Sequence, residues 1–194
     1  MKNLFLSSAS LKLIAIATMA IDHIGMLFFP EQLLLRVIGR LSFPLFAFLV
    51  AEGFLKTSDA RKYLFRLLTF AVISQLPYML FIQAAGVLYI RLNIFFTLAV
   101  GLFAFILLKR FSLWLSIPSL VGMLLVSYYL PFDYGPYGVL LILASGLLLS
   151  FRSVGSFSLF LLHLTETLLS SFTGLLSIQL LDILSMNPAN SFSL

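Results

Sequence analysis

A lysine and a histidine stand eleven residues apart in the first apolar segment, at Lys12 and His23. At about 100° per residue, eleven helical residues make three turns plus roughly 20°, so both side chains lie on one face. The helical rise places them roughly 16 Å apart along the axis. Ionisable residues inside a membrane span are costly and by default mark function. His23 is therefore a candidate for proton transfer, or for a hydrogen bond to a neighbouring helix.

Further polar residues extend this pattern into the next apolar segments. Asp22 points about 100° away from His23 on the same helix. Arg36 and Arg40 form an i, i+4 pair on one face of the second segment, and Arg40 lies about 10 Å below its outer boundary. Gln75 reaches a similar depth in the third segment. We therefore expect Asp22, His23, Arg40 and Gln75 to lie in one polar layer.

The remaining polar candidates lie later in the chain. Asn93 lies near the outer end of the fourth segment, and His163 and Glu166 are three residues apart in the last one. Arg40 lies too deep to reach the headgroups easily, so its charge needs a partner. Such a pair fits a catalytic role or a purely structural one, because polar groups also join helices in membranes. We expect that partner to be Asp22 or Glu166.

Composition identifies the elements that must position these residues. Of 194 residues, 61% are hydrophobic and 10% are charged, and mean hydropathy is +1.12. Soluble domains carry about 25% charged residues, so an ordinary soluble enzyme, a disordered tail and a nucleic-acid module are excluded. No cysteine is present and histidines number two, so we expect no disulfide and no metal site.

Long apolar runs predict an all-α, polytopic membrane helix bundle in a single domain, 1–194. A β-barrel would show alternating polar and apolar residues instead. A spanning helix needs roughly 20 apolar residues, which gives about seven spans. The predicted spans are residues 11–29, 33–55, 62–83, 93–108, 112–130, 136–151 and 157–181.

The distribution of basic residues predicts the orientation of the bundle. With a cytoplasmic N-terminus, nine of the twelve lysines and arginines lie on the inner side, and Arg36, Arg40 and Arg91 lie on the outer side. Seven spans then place the C-terminus outside. The inner cluster at residues 56–62 fits contact with anionic lipid, or a basic mouth for an anionic cytoplasmic ligand.

Many short motifs in this order resemble the F-pilin acetylase family, usually called TraX. They are LKLIA (11–15), IDHIG (21–25), FFP (28–30), RVIGRLSFP (36–44), FAF (46–48), AEGF (51–54), KYLFRLL (62–68), ISQLPY (73–78), LNIFFTL (92–98) and DYGPYG (133–138). The likeness covers roughly the first 140 residues. Relatives often carry an aromatic-Pro-x-His pattern in a late span, where this chain reads LLHL (161–164).

The resemblance implies a transmembrane acetyltransferase that uses acetyl-CoA, with N-terminal acetylation of a pilin as the founding activity. In the wider group of membrane acyltransferases, a basic residue and a histidine also stand eleven positions apart in the first span. Under this resemblance the expected catalytic residues are His23, Asp22 and Arg40. The expected substrate-binding residues are Lys12, Arg36, Gln75, Asn93, Arg61, Lys62, Arg66, His163 and Glu166.

This reading implies a path for the two substrates. The phosphates of acetyl-CoA would favour the inner basic cluster, and the pantetheine arm would carry the thioester toward mid-membrane. His23 would act as general base on an acceptor entering from the outer side. Arg40 or Gln75 would stabilise the thioester oxyanion, while Asp22 and Glu166 would balance charge.

Two other classes of protein fit the same polar track. A small transporter or proton-coupled permease would show inverted repeats with paired broken helices, and a non-catalytic membrane assembly factor would need neither His23 nor Arg40 beyond stability. Under all three hypotheses, we expect the chain to lie in the bacterial inner membrane and to bind no nucleic acid. The sequence leaves open whether the acceptor is a protein, a glycan or a lipid headgroup, and whether conjugation is involved.

Overall fold

The computed structural model describes residues 7–87 and 89–150. Within these ranges the chain is helical, and its one β-type contact is a bridge between Leu92 and Phe132. The helices are α1 (Ser8–Phe28), α2 (Leu33–Arg40), α3 (Ser42–Lys56), α4 (Ala60–Ala84), α5 (Ile94–Arg110), α6 (Leu113–Tyr129) and α7 (Gly135–Ser150). Three segments are long and apolar enough to cross a membrane, namely α1, the stretch Leu33–Lys56, and α4. The predicted all-α membrane bundle is confirmed.

Six predicted spans correspond in order to these helices. The short links between them reverse the chain each time, so one end of the bundle carries Phe28, Ile94 and Gly135 and the other carries Lys56 and Arg110. We call these the Phe28 end and the Lys56 end. The seventh predicted span, 157–181, lies outside the described residues.

The second predicted span is two helices rather than one. Pro44 has no N–H to donate to the carbonyl of Arg40, so the helical ladder cannot continue through this point. The N–H of Leu41 bonds instead to the carbonyl of Ile38, at 3.1 Å. A new helix then begins at Ser42, where Pro44 falls in the first turn and its missing N–H costs nothing. The break leaves Arg40 at the end of α2.

The core forms around α5, whose buried residues pack against α3 and α7. Phe43, Leu102, Phe105 and Ile142 are fully buried there. Large apolar side chains on α4 and α6 instead point outward, and Trp114 is 90% exposed. Such a surface would be unusual in water and suits contact with lipid.

Candidate active site

A small polar cavity lies at the Phe28 end, among α1, α2, α4 and the two loops that precede α5 and α7. Its volume is about 150 Å³. We call it the arginine cavity, because three arginines line it together with two aspartates, one histidine and two tyrosines. Its charged and imidazole groups belong to Asp22, His23, Arg36, Arg40, Arg91 and Asp133. Three of the four residues expected in one polar layer, Asp22, His23 and Arg40, line this cavity together, whereas the fourth, Gln75, does not line it.

An ion pair between α1 and α2 forms one wall. Arg36 Nη1 lies 2.9 Å from Asp22 Oδ2. The two helices touch at Gly39, where an added Cβ atom would lie 2.7 Å from the Cα of Asp22. Asp22 pairs with Arg36, and among the described residues no ion pair joins it to Arg40, so the expected pairing of Arg40 with Asp22 is wrong. The alternative partner, Glu166, lies outside the described residues, as does His163.

His23 projects into the cavity from α1. Its ring lies 4.3 Å from the ring of Phe81 on α4, centroid to centroid, at an interplanar angle of 45°. Lys12 stands on the same helix but at the Lys56 end, where it does not line the cavity. Near it, Glu52 accepts hydrogen bonds from Ser8 Oγ at 2.9 Å and from Lys56 Nζ at 2.6 Å. Lys12 and His23 thus share a helix without sharing a cavity.

Two connecting loops supply the opposite wall. Arg91 Nη1 lies 3.5 Å from Asp133 Oδ1, and Leu92 N donates to the carbonyl of Pro131 at 2.8 Å. The Tyr78 hydroxyl is a hydrogen-bond neighbour of the Asp133 carboxylate. Burial raises the pKa of Asp133 above its ordinary value of 3.8, while the charge of Arg91 acts in the opposite direction.

Tyr134 completes this wall beside Asp133. Its ring stacks on that of Phe43, with centroids 3.6 Å apart and planes 6° apart. Burial, followed by the neighbouring charge of Asp133, raises the pKa of the Tyr134 hydroxyl. This hydroxyl therefore stays protonated at neutral pH and is available as a hydrogen-bond donor.

Gln75 and Asn93 lie behind the cavity wall rather than on it. Gln75 Nε2 donates to the carbonyl of Arg91 at 2.7 Å, and Gln75 Oε1 accepts from Asn93 N at 3.1 Å. Asn93 Nδ2 donates to the carbonyl of Ala71 at 2.8 Å, and Asn93 Oδ1 accepts from Phe95 N at 3.0 Å. These bonds hold Arg91 in place, so a positioning role fits Gln75 and Asn93 better than direct contact with substrate.

A larger cavity of about 850 Å³ lies at the Lys56 end. We call it the loop cavity, because Gly53, residues 57–59 and the start of α4 line it, including Arg61, Lys62 and Arg66. Asp59 caps α4 by accepting hydrogen bonds from the N–H groups of Arg61 and Lys62, at 3.0 and 3.1 Å. These bonds lower the pKa of Asp59.

The two cavities share no lining residue. On α4, Arg66 lines one and Tyr78 lines the other, and twelve residues of helix span roughly 18 Å. Among the described residues, the polar residues expected to form one track line two separate cavities at opposite ends of the bundle. Within the described ranges, no three His, Asp or Glu side chains come together in a way that could hold a metal ion.

Four polar residues of the cavity were not among the expected site residues, namely Tyr78, Arg91, Asp133 and Tyr134. One signal for Arg91 was present, since it is one of the three basic residues that the charge count left on the outer side. The structure brings all three, Arg36, Arg40 and Arg91, into one cavity. The DYGPYG motif likewise contributes Asp133 and Tyr134.

The sequence model of the family described as "TraX protein" matches residues 7–193. The chain belongs to the TraX family. It is similar to a probable fimbrial assembly protein FimC, serogroup H1, of Dichelobacter nodosus, with 34% identity over 151 residues, which cover 72% of this chain and 61% of that protein. The chain thus spans about three fifths of that relative's length.

A second similarity is shorter. The uncharacterized protein RP591 of Rickettsia prowazekii (strain Madrid E) is 43% identical over 44 residues, or 23% of this chain and 18% of that protein. No solved structure matches. The TraX resemblance is confirmed, and every residue of both cavities lies within the matched range.

Proposed function

We propose that this TraX protein is an acetyltransferase of the bacterial inner membrane, which moves an acetyl group from cytoplasmic acetyl-CoA to an acceptor amine reached from the outer side. The observation that supports this most is the arginine cavity itself. It holds His23 among five charged side chains, at the ends of helices long enough to cross a membrane. Charges in that setting are expensive and mark substrate or proton pathways.

The loop cavity suits the donor. Its volume of about 850 Å³ falls within the roughly 300–1,000 Å³ of small-molecule pockets. Arg61, Lys62 and Arg66 supply charge-assisted contacts to phosphate groups. The positive-inside rule favours a cytoplasmic position for this end of the bundle, on the side where acetyl-CoA is found.

The arginine cavity suits the reacting groups. At about 150 Å³ it is below the size of a typical ligand pocket, so it holds an acetyl group and an amine rather than a nucleotide. His23 accepts a proton from the acceptor nitrogen as the new N–C bond forms. The C–S bond of the thioester breaks, and coenzyme A leaves as the thiol after receiving that proton.

The acceptor is proposed to be a pilin-like N-terminal amine. Support comes from the TraX family and from the relative named as a probable fimbrial assembly protein. An amine at the Phe28 end meets His23 about five residues from the end of α1, which is the near side for an acceptor that enters from outside the cell.

A transfer assay tests whether His23 is the general base. Radiolabelled acetyl-CoA and a short peptide amine are incubated with the protein in nanodiscs, beside the His23→Gln variant. We expect that variant to lose about 10²–10⁴-fold in rate while keeping its melting temperature. Full activity in His23→Gln would remove His23 from the mechanism.

Calorimetry tests the donor site separately. Arg66→Ala should weaken acetyl-CoA binding, whereas Arg110→Ala should not, because Arg110 lies at the same end outside the loop cavity. Folded wild-type protein that fails to bind acetyl-CoA would refute the transferase. That result would favour the transporter or the assembly-factor hypothesis.

A further inference from the structure

Among the residues that the structure describes, the charges of the arginine cavity do not cancel. Three arginines face two aspartates, so one positive charge is in excess while His23 is neutral. Arg36 is paired with Asp22 at 2.9 Å and Arg91 with Asp133 at 3.5 Å. The excess charge therefore belongs to Arg40.

Arg40 lies between the two ion pairs without joining either. Its charge acts on both Asp22 and Asp133. Among the described residues, however, no carboxylate oxygen lies within 4.0 Å of its guanidinium. The side chain is exposed and lines the cavity, so its donors are available to a ligand.

An excess positive charge is unfavourable for an amine substrate. A terminal amine has a pKa of about 8, so most of it arrives as a cation, which the cavity repels. An acceptor that carries its own negative charge next to the amine offsets that repulsion and is drawn toward the cavity.

We propose that Arg40 binds a single negative charge on the acceptor, and that the acceptor is a peptide with one carboxylate close to its N-terminal amine. This inference rests on the proposed transferase function. One carboxylate neutralises the cavity, with both ion pairs kept intact. A phosphomonoester carries about −1.5 to −2 at neutral pH and would leave the cavity negative.

The test uses two amidated tripeptides, Ala-Asp-Gly and Ala-Asn-Gly, which differ in one negative charge. Binding is measured by calorimetry without donor, and transfer is measured with acetyl-CoA. Wild type should prefer the acidic peptide about tenfold or more in both assays, as expected for hydrogen bonds to a charged group. Arg40→Gln should bind and acetylate both peptides equally, while Arg40→Lys should retain part of the preference.

Arg110→Gln serves as the matched control, because it removes a guanidinium far from the cavity, and it should keep the full preference. The inference is overturned if wild type shows no preference, or if Arg40→Gln keeps it. Equal losses of kcat for both peptides in Arg40→Gln would also overturn it, because that result assigns Arg40 to the thioester oxyanion.

Failure of the proposed function looks different. If wild type binds the acidic peptide preferentially but transfers no acetyl group, the anion site at Arg40 is supported and the proposed transferase function is refuted. A third assay supplies vesicles of phosphatidylethanolamine, a lipid whose headgroup also carries an amine and one negative charge. Preferential acetylation of that lipid would overturn the peptide assignment.

Discussion

Asp22 and His23 are neighbours in sequence but face different partners. The 100° step of the helix predicts that they diverge, and the structure places Asp22 against Arg36 and His23 against Phe81. Which arginine meets Asp22 could not be predicted, because Arg36 and Arg40 share a helix face. The choice depends on how α1 and α2 cross, which the sequence does not show; the two helices are in contact at Gly39.

Removal of one member of this ion pair should cost more than removal of both. Arg36→Met leaves the Asp22 carboxylate largely buried without its partner, which we expect to destabilise the fold by about 3 kcal/mol. The double variant Asp22→Asn/Arg36→Met should recover much of that loss. Thermal unfolding in detergent measures both, and a double variant less stable than Arg36→Met would argue against the pair.

Asp133 should make stability depend on pH. Burial raises its pKa above 3.8 in the folded state, so the folded protein holds this proton at pH values where the unfolded chain has lost it. The contribution of Asp133 is then fully present below the unfolded pKa and is lost as pH rises through the folded one. The melting temperature of wild type, relative to Asp133→Asn, should therefore rise as pH falls from about 7 to about 4.5.

The capping carboxylate of Asp59 does not obscure that measurement. Its pKa is lowered, so its contribution is present above the unfolded value of 3.8 and is lost only at lower pH. A difference between wild type and Asp133→Asn that stays constant or shrinks with falling pH would contradict the assignment.

At the scale of helices, apolar runs were sufficient to place six spans in order. The second span was predicted as one segment, 33–55, although Pro44 has no N–H for the Arg40 carbonyl, and the structure divides it after Arg40. The sequence did not show which polar residues line the arginine cavity and which lie behind its wall. Gln75 was expected in the polar layer, but its amide bonds to the backbone of Asn93 and Arg91 instead.

The α1–α2 contact should not accept a methyl group. A Cβ atom at Gly39 would lie 2.7 Å from the Cα of Asp22, which is backbone and cannot rotate away. We expect Gly39→Ala to cost about 1–3 kcal/mol and to reduce transfer by displacing Asp22. Gly122→Ala on α6 is the control, because nothing lies within 4 Å of its added Cβ; equal effects in both variants would refute the close contact.

Asn93 joins α4 to the start of α5, and its loss should be costly. Asn93→Ala removes the α5 cap and frees Gln75 and Arg91, so the loss should exceed the roughly 1 kcal/mol of an ordinary cap. Ser112 begins α6 without a side-chain cap bond, so Ser112→Ala should be nearly neutral. Matched melting temperatures of the two variants would show that the Asn93 network contributes no more than an uncapped position does.

At the scale of the whole molecule, the two cavities make the two ends of the bundle chemically different. The basic loop cavity and the arginine cavity lie at opposite ends of α4. The charge count over the sequence predicted this division without showing that Arg36, Arg40 and Arg91 would meet. Two different segments supply them, α2 for Arg36 and Arg40 and the loop before α5 for Arg91, and their meeting depends on the bundle as a whole. The proposed function requires one orientation, with the loop cavity in the cytoplasm.

Single cysteines can test that orientation, because the chain contains none of its own. Glu31 and Ser58 are both exposed, in links at the Phe28 end and the Lys56 end respectively. In intact cells, a membrane-impermeant maleimide should label Glu31→Cys and should label Ser58→Cys only after permeabilisation. In inverted vesicles, acetyl-CoA should slow the labelling of Ser58→Cys, since Ser58 lines the loop cavity. The reverse pattern in intact cells would place that cavity outside the cell and out of reach of its proposed donor, while protection by acetyl-CoA would connect the basic loop directly to the reaction.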